Sequence, residues 1–261
     1  MEEHPIRYEL HDGAALITLN RPQRLNSFNA AMHEALQAAI ARAAGEARAL
    51  LITGAGRGFC AGQDLSDRAV AAEGAAPDLA RSVELFYKPL VLALRNLPLP
   101  VVAAVNGVAA GAGANFALAA DIVLAARSAF FMQPFCKLGL IPDTGGSYFL
   151  PRLVGHARAL GLALTGEKLS AETAAQWGLI WKCVDDADLL PAARKLTAEL
   201  AAGPTLGYAC TKRAINASYY HTLAEQLNLE RDYMGELGRT DDYREGVAAF
   251  LDKRAPHFRG R

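Results

Sequence analysis

The sequence predicts an α/β protein with a largely parallel sheet, followed by a helical C-terminal region. Three observations carry that reading. Residues 101–105 (VVAAV) are wholly apolar, the pattern of a strand covered on both faces. Short apolar strands alternate with helical segments, which implies βαβ units with right-handed crossovers. From residue 186 onward only helical spacing remains.

In chain order, 14–20 (AALITLN) reads as a strand closed by Arg21 and Pro22. Residues 30–44 are Ala-rich, with Met32, Leu36 and Ile40 one turn apart, so a helix is expected. Residues 48–53 (RALLIT) form a second strand stopped by the glycines of GAGRG. A helix over 83–96 ends at LPLP. It is followed by the 101–105 strand, a small-residue helix over about 111–119, and a strand at 121–125. Residues 179–184 (LIWKCV) read as a late strand, and 187–201, 205–218, 221–236 and 241–251 as helices. The change near residue 200 divides the chain into a core (1–200) and a helical subdomain (201–261).

A chain of 261 residues can bury one large core with a small appendage. Basic and acidic residues balance at 27 each, so no overall field recruits nucleic acid or an acidic membrane surface. The apolar stretch 99–126 is broken by Pro100, Asn106, Asn115 and Asp121, which makes it core and not a membrane span. The opening MEEHPIRYEL has acids where a secretion signal needs a basic start, so a cytoplasmic location is expected. Cys60, Cys136, Cys183 and Cys210 lack paired spacing and read as reduced core thiols. The six histidines are too scattered for a metal site, so no metal is expected.

Known chemical motifs fail on single residues. Gly54–Phe59 (GAGRGF) and Gly111–Phe116 (GAGANF) carry Phe where a dinucleotide fingerprint needs its third glycine. Ser147 in GGSYF lacks the second glycine of a nucleophile elbow. Three segments at strand ends or helix starts remain: GFCAGQDL at 58–65, NGVAAGAGAN at 106–115 and KLGLIPDTGG at 137–146. Loops at the carboxyl ends of strands are where α/β proteins place ligands. Small residues there let a substrate approach main-chain N–H groups.

FCAGQDL, AVNGVAAGAGANFALAADI and KLGLIPDTGG, with the opening LNRPQRLNSF, resemble the crotonase (enoyl-CoA hydratase/isomerase) superfamily over nearly the whole chain. The resemblance implies a spiral of ββα turns with two roughly perpendicular sheets, a C-terminal helical trimerisation region, and trimers or pairs of trimers. It implies an acyl-CoA substrate, with coenzyme A as part of that substrate and no separate cofactor. Carried over by motif, it places an oxyanion hole at the N–H groups of Ala61 and Ala112. Such donors stabilise charge that develops only on enolisation. It places CoA against the backbone of Arg24, Leu25, Ser27, Ala61, Gln63, Asp64 and Leu65, with Arg24 either the pyrophosphate partner or an exposed surface arginine. Lys253 and Arg259 either reach the CoA 3′-phosphate, from a neighbouring subunit, or form a solvated tail. Asp64 also suits a helix cap.

Family hydratases carry glutamates at the positions of Asn115 and Phe135. Hydration needs a base for water and an acid for the α-carbon, and neither an amide nor a phenyl ring transfers that proton. Asp143 stands where several isomerases of the family carry an acid, and one carboxylate suffices for a 1,3-proton shift. Its neighbours Phe135, Leu140 and Ile141 are expected to raise its pKa by desolvation. Asp is also a preferred helix cap, the competing role for Asp143. Asn115 is a candidate to orient substrate, and Phe130, Phe131 and Phe135 either line an aromatic acyl pocket or pack the core. Within the family, GAGRGFCAGQDL, APDL at 76–79, NGVAAGAGA, CKLGLIPD and the long 230–254 stretch most resemble isomerases of ring-epoxidised phenylacetyl-CoA. That implies conversion of ring-1,2-epoxyphenylacetyl-CoA to oxepin-CoA, or a β,γ to α,β double-bond shift. The alternatives are an enoyl-CoA hydratase, a hydrolase or dehalogenase with Asp143 as nucleophile, and a non-catalytic CoA-binding module.

Overall fold

A computed structural model describes residues 4–66 and 78–261. The chain opens with β1 (Ile6–His11) and β2 (Ala14–Leu19), an antiparallel pair. Then come α1 (Ala30–Glu46), β3 (Ala49–Gly54) and β4 (Gly58–Cys60). Next are α2 (Leu79–Ser82), a π-helical turn at Val83–Tyr87, and α3 (Lys88–Asn96). β5 (Val101–Val105), β6 (Val108–Ala110), α4 (Ala112–Leu118), β7 (Ile122–Ala126) and β8 (Phe130–Met132) form the middle of the chain. They are followed by α5 (Gly146–Val154), α6 (His156–Thr165), β9 (Lys168–Ser170), α7 (Ala171–Gln176) and β10 (Lys182–Val184). Four helices close the chain: α8 (Leu189–Ala201), α9 (Thr205–Ala217), α10 (Leu223–Leu237) and α11 (Asp241–Leu251).

The strands form a six-stranded sheet in the order β1-β2-β3-β5-β7-β10 and a four-stranded sheet in the order β4-β6-β8-β9. β2, β3, β5, β7 and β10 run parallel, and so do β4, β6 and β8. All five residues of β5 are buried, as its composition requires of a strand covered on both faces. α8 packs on β3, β5 and β7, so the helical C-terminal run begins inside the main core. α1 starts where the Asn29 side chain caps the Met32 N–H, and buries Met32, Leu36, Ile40 and Ala43 along one stripe. No described helix is long and apolar enough to cross a membrane.

Three differences from the sequence reading concern the site. The second sheet was not expected element by element, because its strands have only three residues each. The helix expected over 83–96 begins at Leu79 and changes pitch at Val83–Tyr87, a π turn of the kind often found near functional sites. Part of the APDL stretch, and all of 67–77, lies outside the described residues.

Candidate active site

β4 and β6 run parallel and deliver two turns side by side, Cys60–Asp64 after β4 and the start of α4 after β6. Their approach is as close as backbones allow. A methyl group on Gly113 would lie 2.2 Å from the Cys60 carbonyl oxygen, and one on Gly62 would lie 3.5 Å from the Ala112 nitrogen. Only a glycine fits at 113. As the first residue of α4, Ala112 has no intrahelical acceptor for its N–H. Among the described residues nothing else accepts from it.

Ala61 does not fit the role expected of it. Its N–H donates to the Leu25 carbonyl at 3.0 Å, so it is closed to a thioester oxygen. The next free donor along the turn is Gln63. An isolated parallel bridge joins Gln63 to Phe28. The bonds are made by its neighbours, Phe28 N–H to the Gly62 carbonyl (2.7 Å) and Asp64 N–H to the Phe28 carbonyl (2.9 Å). That pattern turns the Gln63 N–H away from Phe28, and among the described residues it has no acceptor. The Gln63 side chain is anchored separately: the buried Tyr87 hydroxyl donates to its Oε1, and its Nε2 donates to the Asp64 carbonyl at 3.3 Å.

Asp64 is an internal strut and its carboxylate is not open to CoA. It is 7% exposed, pairs with Arg21 at 2.9 Å, and accepts from the Ser66 N–H and hydroxyl at 3.1 and 2.6 Å. Burial pushes its pKa up, but the Ser66 and Arg21 hydrogen bonds outweigh this and hold the carboxyl below its ordinary value. It closes a turn to Ser66 and caps no described helix. Arg21 also donates to the Ser27 carbonyl, and Asn26 reaches the Ala55 and Gly58 carbonyls, which ties the 21–27 turn to the approach of β4. On that turn Arg24 is exposed, Leu25 is half-buried, and Ser27 is buried with its hydroxyl on the Arg24 carbonyl. Leu65 is exposed beside it.

Asp143 lies half-buried in the loop before α5. It does not cap that helix with its side chain: the N-cap is Gly145, and the Asp143 carboxylate accepts from the Thr144 hydroxyl at 2.8 Å. Its main-chain carbonyl accepts from Gly146 N–H and from the Asn115 side chain, both at 2.8 Å. Asn115, a candidate by sequence position to orient substrate, is wholly buried. The apolar sleeve expected around Asp143 is also incomplete. Phe135 is buried and would contact a methyl on Gly111 at 3.5 Å, whereas Leu140 and Ile141 are 38% and 78% exposed. Phe131 belongs to the main core, and Phe130 packs under Lys168.

Cys60 borders the turn, and burial pushes its thiol up to about 12, which favours the thiol over the thiolate. All four cysteines are free. Sequence reading missed Gln63 N–H, Tyr87 and Gln133, because their roles depend on pairing partners distant along the chain. The bridge to Phe28 and the buried Gln133 amide leave no local signature.

Residues 9–261 match the family model described as enoyl-CoA hydratase/isomerase. The chain is 58% identical to 1,2-epoxyphenylacetyl-CoA isomerase of Escherichia coli (strain K12), over 95% of this chain and 96% of that one. It is 54% identical, over 100% of both chains, to a Rhodobacter capsulatus protein named "Probable enoyl-CoA hydratase". The crystal structure of enoyl-CoA hydratase from Bacillus anthracis superposes with a TM-score of 0.92 at 32% identity, covering 98% of this chain and 100% of that one.

Proposed function

The chain belongs to the enoyl-CoA hydratase/isomerase family and has its crotonase fold, and from that premise we propose that it is an acyl-CoA isomerase with Asp143 as its single acid–base group. The observation that carries this reading is the disposition of the acidic positions. Asp64 is committed to an interior ion pair, Asn115 and Phe135 stand where family hydratases need carboxylates, and Asp143 sits on a loop attached to the first turn of α4. Hydration is disfavoured because Asn115 and Phe135 cannot supply the second carboxylate that would activate water.

In the proposed reaction the thioester oxygen lies between the N–H groups of Ala112 and Gln63. Asp143 takes a proton from one carbon, the two donors hold the resulting dienolate, and the Asp143 carboxyl, whose proton exchanges with solvent, delivers a proton two carbons away. The donors act on charge absent from the ground state, so they lower the barrier without tightening substrate binding. The 58% identity to the Escherichia coli enzyme supports ring-1,2-epoxyphenylacetyl-CoA as substrate and oxepin-CoA as product: the C–C bond shared by ring and epoxide opens by redistribution of the ring's own electrons, and the proton moves from the α-carbon to the ring, whereas an enoyl-CoA ester needs the proton shift alone. Arg24, Leu25, Ser27, Gln63 and Leu65 are assigned to the CoA end. The 201–261 helices, whose α10 and α11 expose Leu223, Leu227, Met234, Phe250 and Leu251, are assigned to assembly as a trimer or a pair of trimers.

The test is incubation with ring-1,2-epoxyphenylacetyl-CoA, and separately with a 3-enoyl-CoA, followed by chromatography and mass spectrometry. Products of unchanged mass support the isomerase. Gain of one water points to a hydratase, and a covalent ester on Asp143 points to a hydrolase or dehalogenase. Tight binding without turnover marks a non-catalytic module.

A further inference from the structure

Asn115 occupies the position of a hydratase glutamate, yet its side chain is wholly buried and both of its polar atoms are engaged. Nδ2 donates to the Asp143 carbonyl at 2.8 Å, and Oδ1 accepts from Gln133 Nε2 at 2.8 Å. The orientation of both amides follows from one unambiguous group. A main-chain carbonyl only accepts, so Asn115 must present its NH2 to Asp143, and its oxygen then faces Gln133, which must present its own NH2. Gln133 is 3% exposed, and its Oε1 has no partner among the described residues. The pair is therefore directional: Gln133 sets the rotamer of Asn115, and Asn115 holds Asp143.

The fit around this pair is tight. A methyl on Gly146 would lie 2.3 Å from Asn115 Nδ2, so α5 begins directly against the amide. Gly146 N–H donates to the same Asp143 carbonyl at 2.8 Å. Two donors from different elements, α4 and α5, thus converge on one oxygen. They fix the main chain from which the Asp143 carboxylate extends. Both amides are neutral, so they restrain the acid without adding a charge beside it.

We propose that Asn115 and Gln133 are positioning residues for Asp143: a directional Gln133→Asn115→Asp143 hydrogen-bond chain that sets the acid relative to the Ala112 and Gln63 N–H groups. The catalytic half of this proposal rests on the isomerase reading above; the anchoring half does not. Two nearly isosteric variants test it. Asn115→Leu keeps the volume but loses both the donor to Asp143 and the acceptor toward Gln133. Gln133→Met keeps the volume and frees Asn115 to turn.

Two readouts are compared, steady-state isomerisation of a 3-enoyl-CoA and hydrogen exchange of the Gly146 amide. The expected result in both variants is a kcat lower by about 10- to 100-fold at nearly constant KM, as for a small displacement of a catalytic group, with faster exchange at Gly146. Wild-type kcat and wild-type Gly146 protection in both variants would overturn the proposal. Faster Gly146 exchange with unchanged kcat would overturn its catalytic half. A wild-type protein inactive on every ester would sink the isomerase reading instead, and the exchange measurement would still decide whether the chain anchors the loop.

Discussion

Replacing Gly113 with alanine drives a methyl group into the place where the two donor-bearing turns touch. The added carbon would sit 2.2 Å from the Cys60 carbonyl oxygen and 2.7 Å from its carbon, both main-chain atoms that cannot rotate away. Since real contacts of this kind do not fall below 3.0 Å, β4 and α4 must part by roughly 1 Å. Ala112 and Gln63 ride on those two elements, and an oxyanion donor works only at about 2.7–3.1 Å from its target. The displacement is therefore equivalent to loss of one donor, about 2.7–4 kcal/mol or a 10²- to 10³-fold fall in kcat. Overpacking also costs about 1–3 kcal/mol of stability. The assay is 3-enoyl-CoA isomerisation by variant that retains wild-type circular dichroism, with Gly45→Ala as control. Nothing lies within 4 Å of a methyl at Gly45 in α1, and that change should be neutral or stabilising by up to about 1 kcal/mol. A folded Gly113→Ala protein with wild-type kcat would refute the convergent-donor geometry.

Three further outcomes follow from the same site. Tyr87→Phe removes the hydroxyl that holds Gln63 Oε1, and should lower kcat by about 10-fold with little change in KM, checked by steady-state kinetics. Asp64→Asn breaks a buried pair with Arg21 and should destabilise by about 3–5 kcal/mol in urea titration. Because the folded pKa of Asp64 is depressed, its stabilisation is complete above the ordinary carboxylate pKa and fades as pH falls through the lower folded value. The variant should accordingly show a shallower loss of stability than wild type below about pH 4. Cys60, whose thiol is pushed up to about 12, should resist iodoacetamide at pH 8 in the native protein and react only after unfolding, as peptide mass mapping would show.

Much of the main sheet was legible from composition. β5 matches its expected bounds, and β2, β3 and β7 begin and end within one residue of the reading, because buried parallel strands are continuous apolar runs. β1 was overlooked although IRYELH alternates apolar and polar residues, the pattern of a half-buried edge strand. The three-residue strands of the second sheet are too short for any period to show. The glycine-rich segments marked the two turns that β4 and β6 bring side by side. The particular N–H left open did not follow from them. Whether Ala61 or Gln63 is free depends on Leu25 and Phe28 in an earlier turn, and main-chain pairing of that kind carries no side-chain signature. Asn115 was polar and near the acyl site by position, but its full burial comes from α5 starting against it.

The central claim is that Asp143 moves the proton. Its most direct test is solvent deuterium incorporation into a 3-enoyl-CoA in heavy water, by wild type and Asp143→Asn, with binding of a saturated acyl-CoA measured alongside. Rapid incorporation by wild type is expected, with none above background in Asp143→Asn and nearly equal binding by both. Full exchange in the Asp143→Asn protein would contradict it.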